Sequence, residues 1–302
     1  MKKFIIRLLI IIGTTFIIDR TLAYVVNIFY KRTTTTDEYK INEVTYRMNE
    51  SVIFMGSSRC HHHYVPSIIS DSLKTNVYNA GLWGMRNIYF QDAFLNNILE
   101  RYSPKTIFLE IHPIDYLKTP FSGLDVVGNL SPFINYSEGC DDILKKAKFY
   151  YKAEVSHLYR YNSLFSNLIL GNLLQRTIPA NKGYKPLYGK MDLSNAPIKA
   201  ERFDFAVDED KVKYFQAFID KCKEKKVNLV LLFSPMYAVE KNNMLDVPYR
   251  LAKENNLVFI NNYNMKGITG HPEYYHDFGH LNDNGARKYS SIIASELKKY
   301  LK

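Results

Sequence analysis

An alcohol becomes a nucleophile when a histidine takes its proton and a carboxylate holds that histidine, and this chain carries one candidate for each part. Ser58 follows the apolar run 51–55 and Gly56-Ser57, where a strand gives way to a helix. A hydroxyl placed there sits at a sheet edge, and its own backbone N–H can point into the same site. Asp277 and His280 lie three apart in a polar loop near the C-terminus. That spacing lets the carboxylate hold the imidazole in the tautomer that accepts a proton from serine. Gly81 follows a second apolar run, permits close backbone approach to a ligand, and offers a second N–H to an oxyanion. Each signal also has an ordinary reading. Gly-Ser-Ser is common in loops, a glycine after a strand marks a turn, and the polar loop can cap the final helix through Asp283 or Asn284.

The neighbouring residues narrow the chemistry. Arg59 follows the serine and can bind a substrate anion or form an ion pair. His61, His62 and His63 are consecutive. On a helix they point about 100° apart, so they do not converge on one metal ion; one of them near the substrate is the expected role. Cys60, Cys140 and Cys222 form no CxxC pair, and their odd number argues against a disulfide framework. Neither metal nor cofactor is expected. Trp83, the only tryptophan, lies between Gly81 and Gly84. It can pack against a sugar or acyl chain, or anchor its loop. Tyr237, after another strand, can line the pocket or lie buried with its hydroxyl satisfied.

The elements that must position these residues read as strand–helix alternation. Apolar runs at 51–55, 76–80, 105–111, 227–233 and 257–260 predict five strands. Helical spacing covers 85–101 and 284–301, and Asp246 is placed to cap a helix with Pro248 in its first turn. Continuous apolar strands between amphipathic helices predict a parallel sheet covered on both faces, with its site at the carboxyl ends. Residues 117–205 interrupt the pattern. Within them, 141–175 predicts one or two helices, and Pro179, Gly183, Pro186 and Gly189 mark loops. This helical insertion follows a strand end, so it either lids the site or packs away from it.

Residues 1–32 are a separate unit. A helix over 4–30 reaches roughly 40 Å at about 1.5 Å per residue, enough to cross a bilayer. No small-x-small cleavage site closes the apolar run, which favours an uncleaved anchor over a signal peptide. Lys2, Lys3 and Arg7 hold the N-terminus inside and place residues 33–302, read as one α/β domain, outside the cytoplasm. Asp19-Arg20 either faces a partner membrane protein or marks a span that ends near Ile18. The chain of 302 residues is 46% apolar and 14% aromatic, which excludes disorder. Its net charge of +10 favours anionic partners or a solvated basic surface. The basic residues are scattered without an interleaved aromatic stripe, so no nucleic-acid partner is expected.

Taken in order, Gly56-Ser57-Ser58, Gly81 and Asp277-x-x-His280 followed by Leu281-Asn282 and Gly285 resemble the SGNH (GDSL-type) hydrolase superfamily. The resemblance covers roughly residues 50–116 and 227–302. It implies a three-layer α/β/α sandwich with a mainly parallel, flavodoxin-like sheet. It makes Ser58 the nucleophile, His280 the base, Asp277 the orienting acid and Gly81 an oxyanion donor. Two blocks depart. Ser57 stands where the family has aspartate, and Glu110-Ile-His112-Pro113 replaces Gly-x-Asn-Asp. His112 is the candidate substitute for the missing asparagine donor, so Ser57, Arg59, Gly81 and His112 form the candidate oxyanion and substrate-binding set. With an N-terminal anchor, the layout resembles the DltD-like and alginate-acetylation subgroup. That resemblance implies a serine esterase or O-acyltransferase acting on an acylated envelope polysaccharide or lipid, with a membrane-bound O-acyltransferase as partner. A non-catalytic envelope-assembly or glycan-binding protein on the same scaffold is the competing expectation.

Overall fold

The computed structural model describes residues 1–34, 37–173, 181–193, 205–238 and 242–301. The chain opens with α1 (Lys2–Arg32) and α2 (Asp37–Tyr46). It continues through β1 (Val52–Gly56), α3 (Ser58–His63), α4 (Pro66–Leu73), β2 (Val77–Asn79), α5 (Ile88–Arg101) and β3 (Thr106–Glu110). Three short helices follow: α6 (Glu138–Lys146), α7 (Tyr150–Val155) and α8 (Phe165–Leu173). Then come α9 (Glu209–Glu224), β4 (Asn228–Phe233), α10 (Asp246–Asn255), β5 (Val258–Asn261) and α11 (Asp283–Leu297).

The strands form one sheet in the order β2-β1-β3-β4-β5, with every neighbouring pair parallel. This is the flavodoxin-like order. Strand side chains alternate between two cores. Ile53, Met55, Ile107, Leu109 and Leu231 face one, which α1, α2, α5, α6, α9 and α10 close. Val52, Phe54, Phe108, Val230 and Leu232 face the other, beneath α3, α4 and α11. Burial on both sides is why the strands read as unbroken apolar runs. Within the second core, Phe54 stacks on Phe108 with ring centroids 5.0 Å apart and leans on Tyr64 at 4.7 Å. Truncating such a ring to alanine costs about 3–5 kcal/mol.

The order reverses at β1, which has β2 on one side and β3 on the other. Connections leave those strands toward opposite faces, and a crevice opens at their carboxyl ends. Gly56 ends β1 directly opposite Glu110 at the end of β3. Its φ is +145°, and a Cβ there would meet the Glu110 carbonyl oxygen at 2.6 Å. Only glycine lets the backbone turn from strand to α3 at this distance.

Several local expectations change. The long helical stretch expected from 141 is broken into α6, α7 and α8, with a 3₁₀ turn at Leu158–Tyr161. Its far end at 174–175, like Pro179 and Thr35-Thr36, lies outside the described residues. The cap of α11 is Asn282, whose side chain accepts the Gly285 N–H at 2.9 Å, rather than Asp283 or Asn284. Asp246 is the first residue of α10, behind Leu245 at the cap position. The sequence pattern predicts neither α2 nor α9. The second carries a readable signal: Asp208 caps it, accepting from the N–H groups of Asp210 and Lys211. The insertion does not close over the site as a lid among the described residues. Helix α6 packs on α5, α8 packs on α1, and the stretch 181–191 runs beside the site.

Helix α1 is long and apolar enough to cross a membrane. Residues 4–18 are exposed, whereas Ala23 and Tyr30 are buried against the domain. The Asp19-Arg20 pair is hydrogen-bonded within the chain. Asp19 accepts from the backbone of His157 and Leu158, and Arg20 donates to the carbonyls of Glu154 and Val155.

Candidate active site

Ser58 opens α3 directly after β1, with Ser57 at the cap position. Its Oγ lies 2.8 Å from His280 Nε2. His280 Nδ1 lies 2.9 and 3.0 Å from the two carboxylate oxygens of Asp277. Since Nδ1 faces a carboxylate, it carries the proton, and Nε2 presents a lone pair to the serine hydroxyl. Burial alone would push the Asp277 carboxyl up. Hydrogen bonds from the His280 ring and from the N–H groups of Gly279 and His280 outweigh it and hold the carboxyl below its ordinary value. The two loop residues are held by a narrow antiparallel pinch between Tyr275 and Leu281. The structure therefore brings together the three residues that the sequence places 222 positions apart at its extremes.

A buried polar network sits under these groups. His63 Nε2 accepts the N–H of Leu281, the residue after His280, at 3.0 Å. Its Nδ1 must then carry the proton, which it donates to Ser234 Oγ at 2.7 Å. Ser234 Oγ donates in turn to Glu110 at 2.7 Å. Glu110 also accepts from the Tyr64 hydroxyl and pairs with Arg59 at 3.1 Å. Burial pushes the Glu110 carboxyl up, and Arg59, Tyr64 and Ser234 act against that. Arg59 forms the ion pair that was one of its two readings. Its side chain is 1% exposed, lies over the Phe233 ring, pairs with Glu110 and donates to Ser234, and it also borders the crevice beside Ser58. The sequence pattern assigns no site role to Glu110 or Ser234, and His63 enters it only as one of three consecutive histidines. The signal was present in Glu110, a charged residue ending an otherwise apolar strand, which burial without a partner would not allow.

Gly81 also takes a different role. Its N–H donates to Asn79 Oδ1 at 3.0 Å, so it is not aimed at an oxyanion. A Cβ at Gly81 would meet the His61 backbone nitrogen at 2.5 Å, so the glycine serves close packing of this loop on α3. Its carbonyl accepts from buried Lys40, which also reaches the Gly183 carbonyl at 2.7 Å. Burial lowers the Lys40 pKa to about 7. The loop instead turns Trp83, Gly84 and Met85 toward the serine.

His112 lines the same crevice as Trp83. Its Nδ1 accepts the Ile114 N–H at 3.2 Å, and Asp115 returns the favour by accepting the His112 N–H at 2.7 Å. Burial, followed by the nearby Arg59 and His280, lowers the His112 pKa to about 3. The ring is therefore neutral, with its one proton on Nε2.

The crevice has a volume of about 330 Å³ and is lined by Ser57, Ser58, Trp83, Met85, His112 and His280, among others. Trp83 is half exposed and stacks on His280 with centroids 5.8 Å apart. His62 packs edge-on to Trp83 and donates Nδ1–H to the Lys185 carbonyl. Burial first, and the neighbouring charges of His280 and Lys40 after it, lower its pKa to about 4. His61 stacks on His62 rather than entering the crevice. Tyr237 packs between Tyr275 and Phe278 and does not line it. Among the described residues, no three His, Cys, Asp or Glu side chains are grouped to hold a metal ion. The arrangement can deprotonate a hydroxyl at Ser58 and present polar hydrogens beside it, in a small apolar-walled crevice.

No family model matches the sequence, and no curated protein matches it. Among the solved structures that resemble the chain are two that overlap most of it. One is an acetyl xylan esterase, AlAXEase, at 14% identity, covering 82% of this chain and 98% of that one with a TM-score of 0.43. The other, from Desulfitobacterium hafniense DCB-2, is described as a lipolytic protein of the G-D-S-L family. It is 8% identical, covers 83% of this chain and 99% of that one, and has a TM-score of 0.40.

Proposed function

We propose that this protein is a serine esterase or O-acyltransferase that works outside the cytoplasm on an acylated envelope glycan or lipid. The observation that carries the reading is the hydrogen-bonded series Ser58–His280–Asp277 at the switch point of the sheet. His280 Nε2 takes the hydroxyl proton as Ser58 Oγ bonds to the ester carbonyl carbon. The carbonyl π electrons move to oxygen, and the tetrahedral adduct collapses when the alcohol leaves with the proton from His280. Water or a sugar hydroxyl then attacks the acyl-serine by the reverse sequence. Two donors are the candidates for the oxyanion. The Ser58 N–H, in the first turn of α3, has no intrahelical acceptor. The His112 Nε2–H fills the place of the asparagine that the family pattern would supply. Trp83 and Met85 give the acyl or sugar portion an apolar wall, and the small volume favours a short acyl group. Transfer in place of hydrolysis, and a membrane-bound O-acyltransferase as the source of the acyl group, belong to this reading through the N-terminal helix.

The test is labelling of the full-length protein by a fluorophosphonate probe. Wild type is expected to label, and Ser58→Ala is expected not to. Equal labelling of the two, or none in either, removes the nucleophile from the account and leaves a binding protein.

A further inference from the structure

Residues 4–18 of α1 are all exposed. Fifteen residues rise only about 22 Å, short of the roughly 30 Å hydrocarbon core of a bilayer. A full span of about 20 residues therefore runs past Asp19 and Arg20 to the vicinity of Tyr24. Charges at that depth are costly unless they are paired and hydrogen-bonded. Both are. Asp19 accepts from Ser156 Oγ at 2.5 Å, from His157 N–H at 2.8 Å and from Leu158 N–H at 3.3 Å, and pairs with Arg20 at 2.5 Å. Arg20 donates to the Glu154 and Val155 carbonyls at 3.1 and 3.3 Å, and its guanidinium lies over the Phe16 ring. The end of α7 is thus fastened to α1 at the level of the membrane boundary.

What surrounds that fastening is apolar and faces outward. Val155 is 79% exposed and Tyr151 67% exposed, one turn apart on α7. Further along, α1 keeps an exposed apolar side at Leu22, Val25 and Phe29. Helix α8 is tied there by Asn172 Nδ2, which donates to the Phe29 carbonyl at 3.1 Å. It exposes Ile169, Leu170 and Leu173, the last at 76%. Lys152 on α7 and Lys31-Arg32 at the end of α1 are exposed beside this flank. Apolar side chains flanked by tyrosine and lysine suit the layer between acyl chains and anionic headgroups.

We propose that this flank, the end of α7 and the outer face of α8 beside residues 19–29 of α1, is seated in the bilayer boundary, from the outermost acyl chains at residues 19–24 to the headgroup layer at 25–29. The occupant is the lipid surface itself. The domain then rests on the membrane and does not swing from a tether. The inference rests on the reading of α1 as a retained membrane anchor, and it explains both the internal pairing of Asp19-Arg20 and the apolar surface around it.

The three native cysteines are buried, so a thiol-reactive fluorophore reports on an introduced one. Ile11→Cys, Val155→Cys, Leu173→Cys and Ile292→Cys are made in the full chain. Each is labelled and reconstituted in phosphatidylethanolamine–phosphatidylglycerol vesicles containing a doxyl-lipid quencher. Ile292 is exposed on α11, across the sheet from α1. The expected result is quenching at positions 11, 155 and 173 several-fold above that at 292. Quenching at 11 with 155 and 173 no higher than 292 overturns the seated flank and leaves the anchor standing. No quenching at 11 overturns the anchor and the flank together.

Discussion

His112 is a neutral ring. With Nδ1 occupied by the Ile114 N–H and a pKa lowered to about 3, Nε2–H is a fixed donor at any ordinary assay pH. If that donor meets the oxyanion, His112→Asn, which keeps an N–H, should hold turnover of p-nitrophenyl acetate within about tenfold. His112→Phe should lower kcat by about 10²–10³ with KM little changed. Steady-state kinetics on the two variants check this. A Phe variant that matches wild type would remove His112 from the oxyanion site. Neither change should shift the acid limb of the pH profile, because His112 stays unprotonated there.

At the scale of elements, the site is held by the pairing of Glu110 with Arg59 between the ends of β3 and α3. Arg59→Met leaves a buried carboxylate without its cation, and the expected loss is about 3–5 kcal/mol. Adding Glu110→Gln should recover most of it, since removing both charges also removes their desolvation cost. Denaturant titration of the detergent-solubilised single and double variants measures the difference. Equal losses would show the pair to be incidental. The same elements show what the residues could and could not disclose. Strands buried on both faces wrote themselves as apolar runs, so the sheet and the positions of Ser58, Asp277 and His280 were legible. The tertiary bonds were not. Gly81 follows its strand as an oxyanion glycine would, yet Asn79 takes its N–H. Arg59 follows the serine as a substrate-binding arginine would, yet its buried guanidinium pairs with Glu110. A local pattern carries no record of which distant carboxylate or amide will arrive beside it.

The stability of the whole molecule should carry the mark of Asp115. This side chain is buried, one of its oxygens has no hydrogen-bond partner, and burial raises its pKa from 3.8 to about 7. The folded protein holds that proton between about pH 4 and 7 whereas the unfolded chain releases it. The contribution is thus fully present below pH 4 and is lost as pH rises through 7. Asp115→Asn keeps an acceptor for the His112 N–H and cannot ionise. Its melting temperature is expected to gain on wild type as the pH is raised from 5 to 8. A gap that stays constant over that range would show that Asp115 is ionised throughout.

The central claim is that an acyl group passes through Ser58. The direct measurement is peptide mass spectrometry after acid quench of the full-length protein mixed with an activated acetyl ester. The account predicts an acetyl group on the peptide containing Ser58, lost on further incubation and absent in Ser58→Ala and His280→Ala. Ester consumption with Ser58 unmodified in rapidly quenched samples, or an acetyl group on another residue at full activity, would contradict it.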